Sequence, residues 1–207
     1  MYVILGRRTM GLKNAKEGKL LYHLTELKNL ESIIDSGLVP RKILRENTVT
    51  FGDVADPEII RKREVLGLDG YIPFHFHPYS AFDVAVKKTH VGEEMIYICI
   101  TRSLARCNNF RILPKQPLAL EECQLYDYDK GFEMIDWDTL TRVGQNDENA
   151  RQIKMAECLS PLVIPVDAFQ CIYVSSKETE NKVADMLKQK GIIFPPPFIT
   201  VMSQWFE

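Results

Sequence analysis

The side chains best suited to chemistry in this 207-residue chain fall in a few short stretches. His23 and Thr25 lie in Lys19-Leu20-Leu21-Tyr22-His23-Leu24-Thr25. That stretch reads as a short strand, so alternation puts the imidazole and the hydroxyl on one face. Arg61, Lys62 and Arg63 gather three cations at the end of a short helix beginning near Asp56-Pro57, where proline suits a first turn. Such a group would serve an anionic ligand, or would simply complement the dipole of an exposed helix end. His75 and His77 share a strand face, as two metal ligands would. A metal needs a third ligand, the other histidines are His23 and His90, and no metal site is expected. The five cysteines, Cys99, Cys107, Cys123, Cys158 and Cys171, include no C-x-x-C pair, which argues against zinc and redox motifs and for small packed hydrophobes. There is no Walker loop, no G-x-G-x-x-G, no G-x-S-x-G and no H-E-x-x-H.

These residues need a scaffold, and the composition supplies an ordinary one. With 45% hydrophobic and 26% charged residues the chain is globular, and its length suits one compact domain. No apolar run approaches the roughly 20 residues of a membrane span. The first residues carry apolar side chains before charged ones, the reverse of a secretory signal, so a cytoplasmic protein without membrane attachment is expected. The net charge of −2 hides an uneven distribution. Residues 1–63 hold 12 Lys+Arg against 8 Asp+Glu, net +4, and the remainder 14 against 20, net −6. A polyanion could use the front of the chain, although a solvated surface also tolerates such an imbalance.

Residues 1–18, with Gly6, Gly11 and Gly18, read as a flexible basic arm ahead of a domain over 19–207. After the first strand, Leu27, Leu30, Ile33, Ile34 and Leu38 have helical spacing, and Gly37 stands where a left-handed residue would end the helix. Residues 40–68 are polar and poorly periodic apart from the helix leading to Arg63, and so long a loop is usually functional. Strands are expected over Tyr71–Pro78, Glu94–Thr101, Glu157–Ile164, Phe169–Val174 and Phe198–Met202. Helices are expected over Ser80–Lys88, Asn146–Met155 and Lys177–Lys190, and Asn108–Asp136 reads as loop-rich. Strands and helices mix irregularly, which favours an α+β fold over a doubly wound sheet.

An ordered series of short pieces runs through this frame: Tyr22-His23-Leu24-Thr25, Asn29-Leu30, Gly37-Leu38, the Pro57–Arg63 helix and Ile72–Phe76. Then follow Gly131-Phe132-Glu133-Met134-Ile135-Asp136-Trp137, Asp147 and Ala156-Glu157-Cys158-Leu159-Ser160-Pro161. In order and spacing the series resembles the DarT family, bacterial toxins that transfer ADP-ribose from NAD⁺ onto single-stranded DNA. The resemblance spans roughly Tyr22 to Val174. It implies a single ADP-ribosyltransferase-type domain with a split central β-structure, NAD⁺ as co-substrate, single-stranded DNA as partner and a macrodomain-type antitoxin that removes the mark.

The resemblance also assigns roles. Breaking the nicotinamide–ribose bond creates an oxocarbenium-like ribosyl cation, as in glycosidases, and a carboxylate beside the ribose stabilises it. Glu157 is the catalytic candidate; otherwise it would only end a helix at the surface. Arg63 is implied near the acceptor base or the diphosphate. His23, Thr25 and Asn29 are implied to seat NAD⁺, although an early-helix asparagine is often a cap. Tyr71, Phe74 and Phe76 are candidate walls of the nicotinamide pocket, with one of the three expected to touch ligand; aromatics at strand spacing also make plain core.

Two segments depart from the thymidine-modifying branch. Pro78-Tyr79-Ser80-Ala81-Phe82 replaces P-R-S-P-M, and Leu113-Pro114-Lys115-Gln116-Pro117-Leu118-Ala119 replaces a T-D-G-N-A-like stretch. The acceptor implied is thymidine or guanosine, leaning to guanosine. The alternatives are an ADP-ribosyltransferase acting on RNA or protein, and a catalytically silent NAD- or nucleic-acid-binding module.

Overall fold

A computed structural model describes residues 15–48, 51–78, 80–116, 124–142, 147–193 and 195–206. The chain opens with β1 (Leu20–Glu26), then a 3-10 turn over Leu27–Asn29 and α1 (Leu30–Ser36), closed at Gly37 with φ 80°. Short helices α2 (Arg41–Glu46) and α3 (Pro57–Val65) follow, and then β2 (Ile72–His75). Next come α4 (Ala81–Thr89), β3 (Met95–Thr101), α5 (Arg102–Cys107) and β4 (Arg111–Leu113). Helices α6 (Tyr128–Met134), α7 (Trp137–Thr141) and α8 (Glu148–Ile153) lead to β5 (Glu157–Ser160). The chain ends with β6 (Cys171–Val174), α9 (Lys177–Gln189) and β7 (Phe198–Val201).

The expected strands and longer helices form close to their expected bounds. The differences are α2, α5, β4, α6 and α7, which occupy stretches read as loop or left unassigned. Each has only three to seven residues, too few for a hydrophobic period to register. Their starts are nonetheless written locally. Asp127, Asp136 and Asp147 cap α6, α7 and α8 by accepting from the backbone N–H three residues on.

The strands form one sheet in the order β4-β5-β2-β1-β3-β6-β7, antiparallel except for β6–β7. β1 pairs with β3 along its whole length, from Leu20↔Thr101 to Glu26↔Met95. With β2 it shares one pair, Tyr22↔His75. Beyond it stands Pro73, which has no N–H to donate to a ladder. The Pro73 carbonyl instead accepts from His23 Nδ1 at 2.9 Å. The sheet is thus two ladders, β4-β5-β2 and β1-β3-β6-β7, joined at a single residue pair, which is the split β-structure implied above.

One face of both ladders makes the main core. Leu21, Ile96, Ile98, Ile100, Ile72, Phe74, Phe76 and Cys158 are buried there with Leu30, Ile33 and Ile34 of α1. Full burial of each such side chain contributes about 1.5–3 kcal/mol. The opposite face of β1 and β3 carries Leu24, Tyr97 and Cys99 against Trp205. Arg102 ties the parts together. It donates to the carbonyls of Ala15, Lys16, Leu20 and Phe76 and lies over the rings of Phe76, Phe132 and Trp137. Of the expected N-terminal arm, residues 1–14 lie outside the described residues, and Ala15 is buried under this guanidinium. Cys99, Cys158 and Cys171 are buried, Cys107 is exposed, and Cys123 lies outside the described residues.

Candidate active site

A cleft opens where β1 and β2 part. It is lined from both ladders, by His23 and Thr25 of β1 and by Pro73 and His75 of β2, together with Glu157. Glu157 is the first residue of β5, held by pairing on both flanks, to His75 of β2 and Leu113 of β4. Its carboxylate faces Arg63. Arg63 Nη1 donates to Glu157 Oε1 at 2.9 Å and to Oε2 at 2.8 Å, and the two residues are 5% and 4% exposed. Of the three clustered cations, Arg61 is exposed and Lys62 pairs with Glu58, so Arg63 alone of the trio turns inward. Asp56 caps α3 by accepting from Glu58 N–H and so fixes the helix that carries it. Arg63 Nη2 is buried without a hydrogen-bond partner among the described residues.

His23 and Thr25 line the cleft from β1. Because a carbonyl only accepts, His23 Nδ1 carries the proton given to Pro73, and Nε2 of the neutral ring remains an acceptor. Burial, opposed by that bond and reinforced by His75 and Arg41, lowers the His23 pKa and keeps the ring neutral. The Thr25 hydroxyl accepts from Asn29 Nδ2 at 3.1 Å and retains its own hydrogen for donation.

Asn29 lines the cleft but spends its carboxamide on protein. Nδ2 donates to Thr25 and, at 2.8 Å, to the Gly52 carbonyl, while Oδ1 accepts from Gly52 N–H at 2.8 Å. It makes no side-chain cap for α1. The segment it grips, Phe51–Ala55, forms one wall of the cleft. A second clamp holds the same wall: Arg41 Nε and Nη2 donate to Asp53 Oδ2 and Oδ1 at 2.8 and 2.7 Å.

Tyr71 lines the cleft; Phe74 and Phe76 do not. Phe74 is 0% exposed, packed between the rings of His23 and Phe110, so its expected place in a pocket wall is corrected to the core. Phe74 pairs with Cys158 and is closed off by the His23 and Phe110 rings, while His75 pairs with Glu157 and reaches the cleft. His75 stacks on Phe82, and His77 lies past the end of β2 with Nδ1 on the Pro78 carbonyl. Arg41 and Asp53 also line the cleft and carry no signal in the sequence, while Gln116, another lining residue, lies in the stretch that departs from the thymidine-modifying branch. Gln116 is 7% exposed, and its Oε1 has no hydrogen-bond partner among the described residues.

A buried carboxylate at the edge of a cleft has the chemistry to stabilise a developing cation while a glycosidic bond breaks, and the geometry alone does not say whose. The comparisons specify whose. The family model described as ssDNA thymidine ADP-ribosyltransferase, DarT, matches residues 22–206, and the chain belongs to that family. A DNA ADP-ribosyl transferase of Thermus aquaticus is 23% identical over 202 residues, 90% of this chain and 88% of that protein. The Thermus sp. 2.9 DarT solved with ADP-ribosylated single-stranded DNA has a TM-score of 0.76 at 18% identity, covering 92% of this chain and 97% of that one. The same protein solved with NAD⁺ gives 0.73 at 17% identity, with 92% and 98% covered. At such identities the structures attest the fold, and family membership makes the chain an NAD-dependent ADP-ribosyltransferase.

Proposed function

We propose that this chain transfers one ADP-ribose from NAD⁺ to a nucleobase nitrogen of single-stranded DNA. The observation that carries the reading is the buried Arg63–Glu157 pair at the divergence of β1 and β2. NAD⁺ occupies the cleft with its nicotinamide ribose against Glu157. His23 Nε2 and the Thr25 hydroxyl offer an acceptor and a donor to the dinucleotide, and Tyr71 walls the nicotinamide. The bond from ribose C1″ to the nicotinamide nitrogen breaks, its electron pair leaving with neutral nicotinamide. Glu157 stabilises the resulting cation, its charge held in place by Arg63. C1″ then bonds the base nitrogen, whose proton leaves through the Glu157 carboxylate to water. Asn29 acts at one remove, by holding the Gly52 wall.

In the cell this activity makes the chain a toxin acting in the cytoplasm, held in check by a macrodomain-type antitoxin. Among the described residues no helix is long and apolar enough to cross a membrane. Residues 19–207 form the catalytic domain and residues 1–18 a basic lead-in to it. Mass spectrometry of a mixed-sequence single-stranded oligonucleotide after incubation with protein and NAD⁺ tests the reading. The expected product has gained one ADP-ribose. Transfer to RNA or protein with none to DNA would overturn it.

A further inference from the structure

Gln116 carries an observation that the reaction as described leaves unused. Its carboxamide oxygen is buried in the cleft wall with no partner among the described residues, and a buried acceptor left unsatisfied costs about 1–3 kcal/mol. Such an atom calls for an explanation, and its place in the cleft makes a bound ligand one. The residue is well anchored, since its backbone N–H donates to the Gln152 carbonyl at 3.1 Å just ahead of β5. It stands three residues past Leu113, the β4 residue paired with Glu157.

Its side of the cleft matters. The sheet order β4-β5-β2-β1 puts Glu157 of β5 between Gln116, which follows β4, and His23 and Thr25 on β1. A dinucleotide seated on β1 brings its C1″ to Glu157 from one side. The incoming nucleophile must meet C1″ on the face opposite the departing nicotinamide. Gln116 follows β4, on the far side of Glu157 from His23 and Thr25, the side left to an acceptor when the dinucleotide is seated on β1. An unpartnered acceptor atom there calls for an N–H.

We propose that Gln116 is a specificity-determining residue for the acceptor: its Oε1 accepts a hydrogen bond from an N–H of the nucleobase to be modified, a different proton from the one that passes to Glu157. The inference rests on the DNA reading above and names the residue that reads the base. A base whose N–H is misplaced leaves Oε1 buried and unpaired, which is the strongest form of hydrogen-bonded discrimination. Arg63 Nη2, on the residue paired with Glu157 and also buried without a partner among the described residues, offers a donor to the same ligand.

The test uses four single-stranded oligonucleotides that differ in one central base, with transfer and hydrolysis of NAD⁺ measured side by side. In Gln116→Leu the ratio of transfer to hydrolysis on the preferred base falls at least about 10-fold, the worth of one good base contact, and the gap between preferred and other bases narrows. Gln116→Glu keeps an acceptor oxygen and keeps the order of preference, which also answers any objection that Gln116→Leu is misfolded. Equal loss of transfer and hydrolysis in Gln116→Leu, or an unchanged base preference, would overturn the proposal. If the unaltered protein hydrolyses NAD⁺ yet labels none of the four, the DNA reading itself fails, and Gln116 has no base to read.

Discussion

One nitrogen of Arg63, Nη1, donates to both oxygens of Glu157, a residue 94 positions along the chain. The pair joins α3 to the start of β5 and buries two opposite charges. Its partners are therefore unequal in what their loss does. Glu157→Ala leaves a buried, uncompensated guanidinium and is expected to destabilise the fold by about 3–5 kcal/mol as well as to stop transfer. Glu157→Gln keeps an acceptor for Arg63 but loses the charge, so kcat falls by about 10²–10³, as when one preorganised stabilising group is removed. The double variant Arg63→Met/Glu157→Leu recovers stability but no activity. Urea denaturation and labelling from NAD⁺ read the two effects separately, and a fully active Glu157→Gln would end the carboxylate's assigned role.

Asn29→Ala removes three hydrogen bonds at once, two of them to the Gly52 backbone. The loss is expected to cost about 1–3 kcal/mol of stability. Because the Phe51–Ala55 wall loses one of its two clamps, KM for NAD⁺ rises more than kcat falls. Steady-state kinetics at saturating DNA check this. An unchanged KM with lowered stability would show that Arg41–Asp53 alone holds the wall.

What the sequence made legible follows the range of each signal. The β1, β3 and α9 segments are long enough for their periods to register, and His23, Thr25, Arg63, Tyr71 and Glu157 all line one cleft. Phe74 was misplaced because a strand's two faces are known only once its neighbours are: pairing with Cys158 turns it to the core. Gln116 sits in a short irregular stretch, and nothing in its type marks a buried orphan. The charge division was readable, but its pairing was not. Arg41 is held by Asp53, Arg45 by Glu64 and Asp69, and Lys28 by Glu26, so much of the basic front is neutralised within the fold.

The burial of His77 sets an acid limit on stability. Burial lowers the His77 pKa to about 4, opposed by its bond to the Pro78 carbonyl and by the nearby Asp83, and favoured by His75 and Arg102. The unfolded chain binds this proton near the ordinary value of about 6.5, so below that pH it takes up a proton that the folded chain refuses. Stability from His77 is complete above about pH 6.5 and lost as pH falls toward 4, at up to about 1.4 kcal/mol per pH unit. His23, also lowered by burial, adds in the same direction. Denaturation midpoints between pH 7.5 and 4.5 measure the slope, and His77→Gln is expected to flatten it. An equal slope in that variant would move the acid sensitivity to other groups.

Gly131 carries a different constraint, one of space rather than charge. It lies in α6 where the helix crosses β4, and a Cβ there would stand 2.5 Å from Ile112 Cβ and 3.1 Å from Tyr126 Cβ. Neither neighbour is the loose end of a flexible side chain, so β4 or α6 must shift. Gly131→Ala is therefore expected to destabilise by about 1–3 kcal/mol, the usual cost of overpacking, despite alanine's better helix propensity. The displacement also reaches the site, because Leu113 of β4 pairs with Glu157 and Gln116 follows it. Transfer should then fall more than NAD⁺ affinity, which the proposed reading assigns to His23 and Thr25 across the cleft on β1. Calorimetric binding of NAD⁺ beside the rate of DNA labelling distinguishes these. If both fall together, β4 and β1 move as one body despite the single pair that joins their ladders.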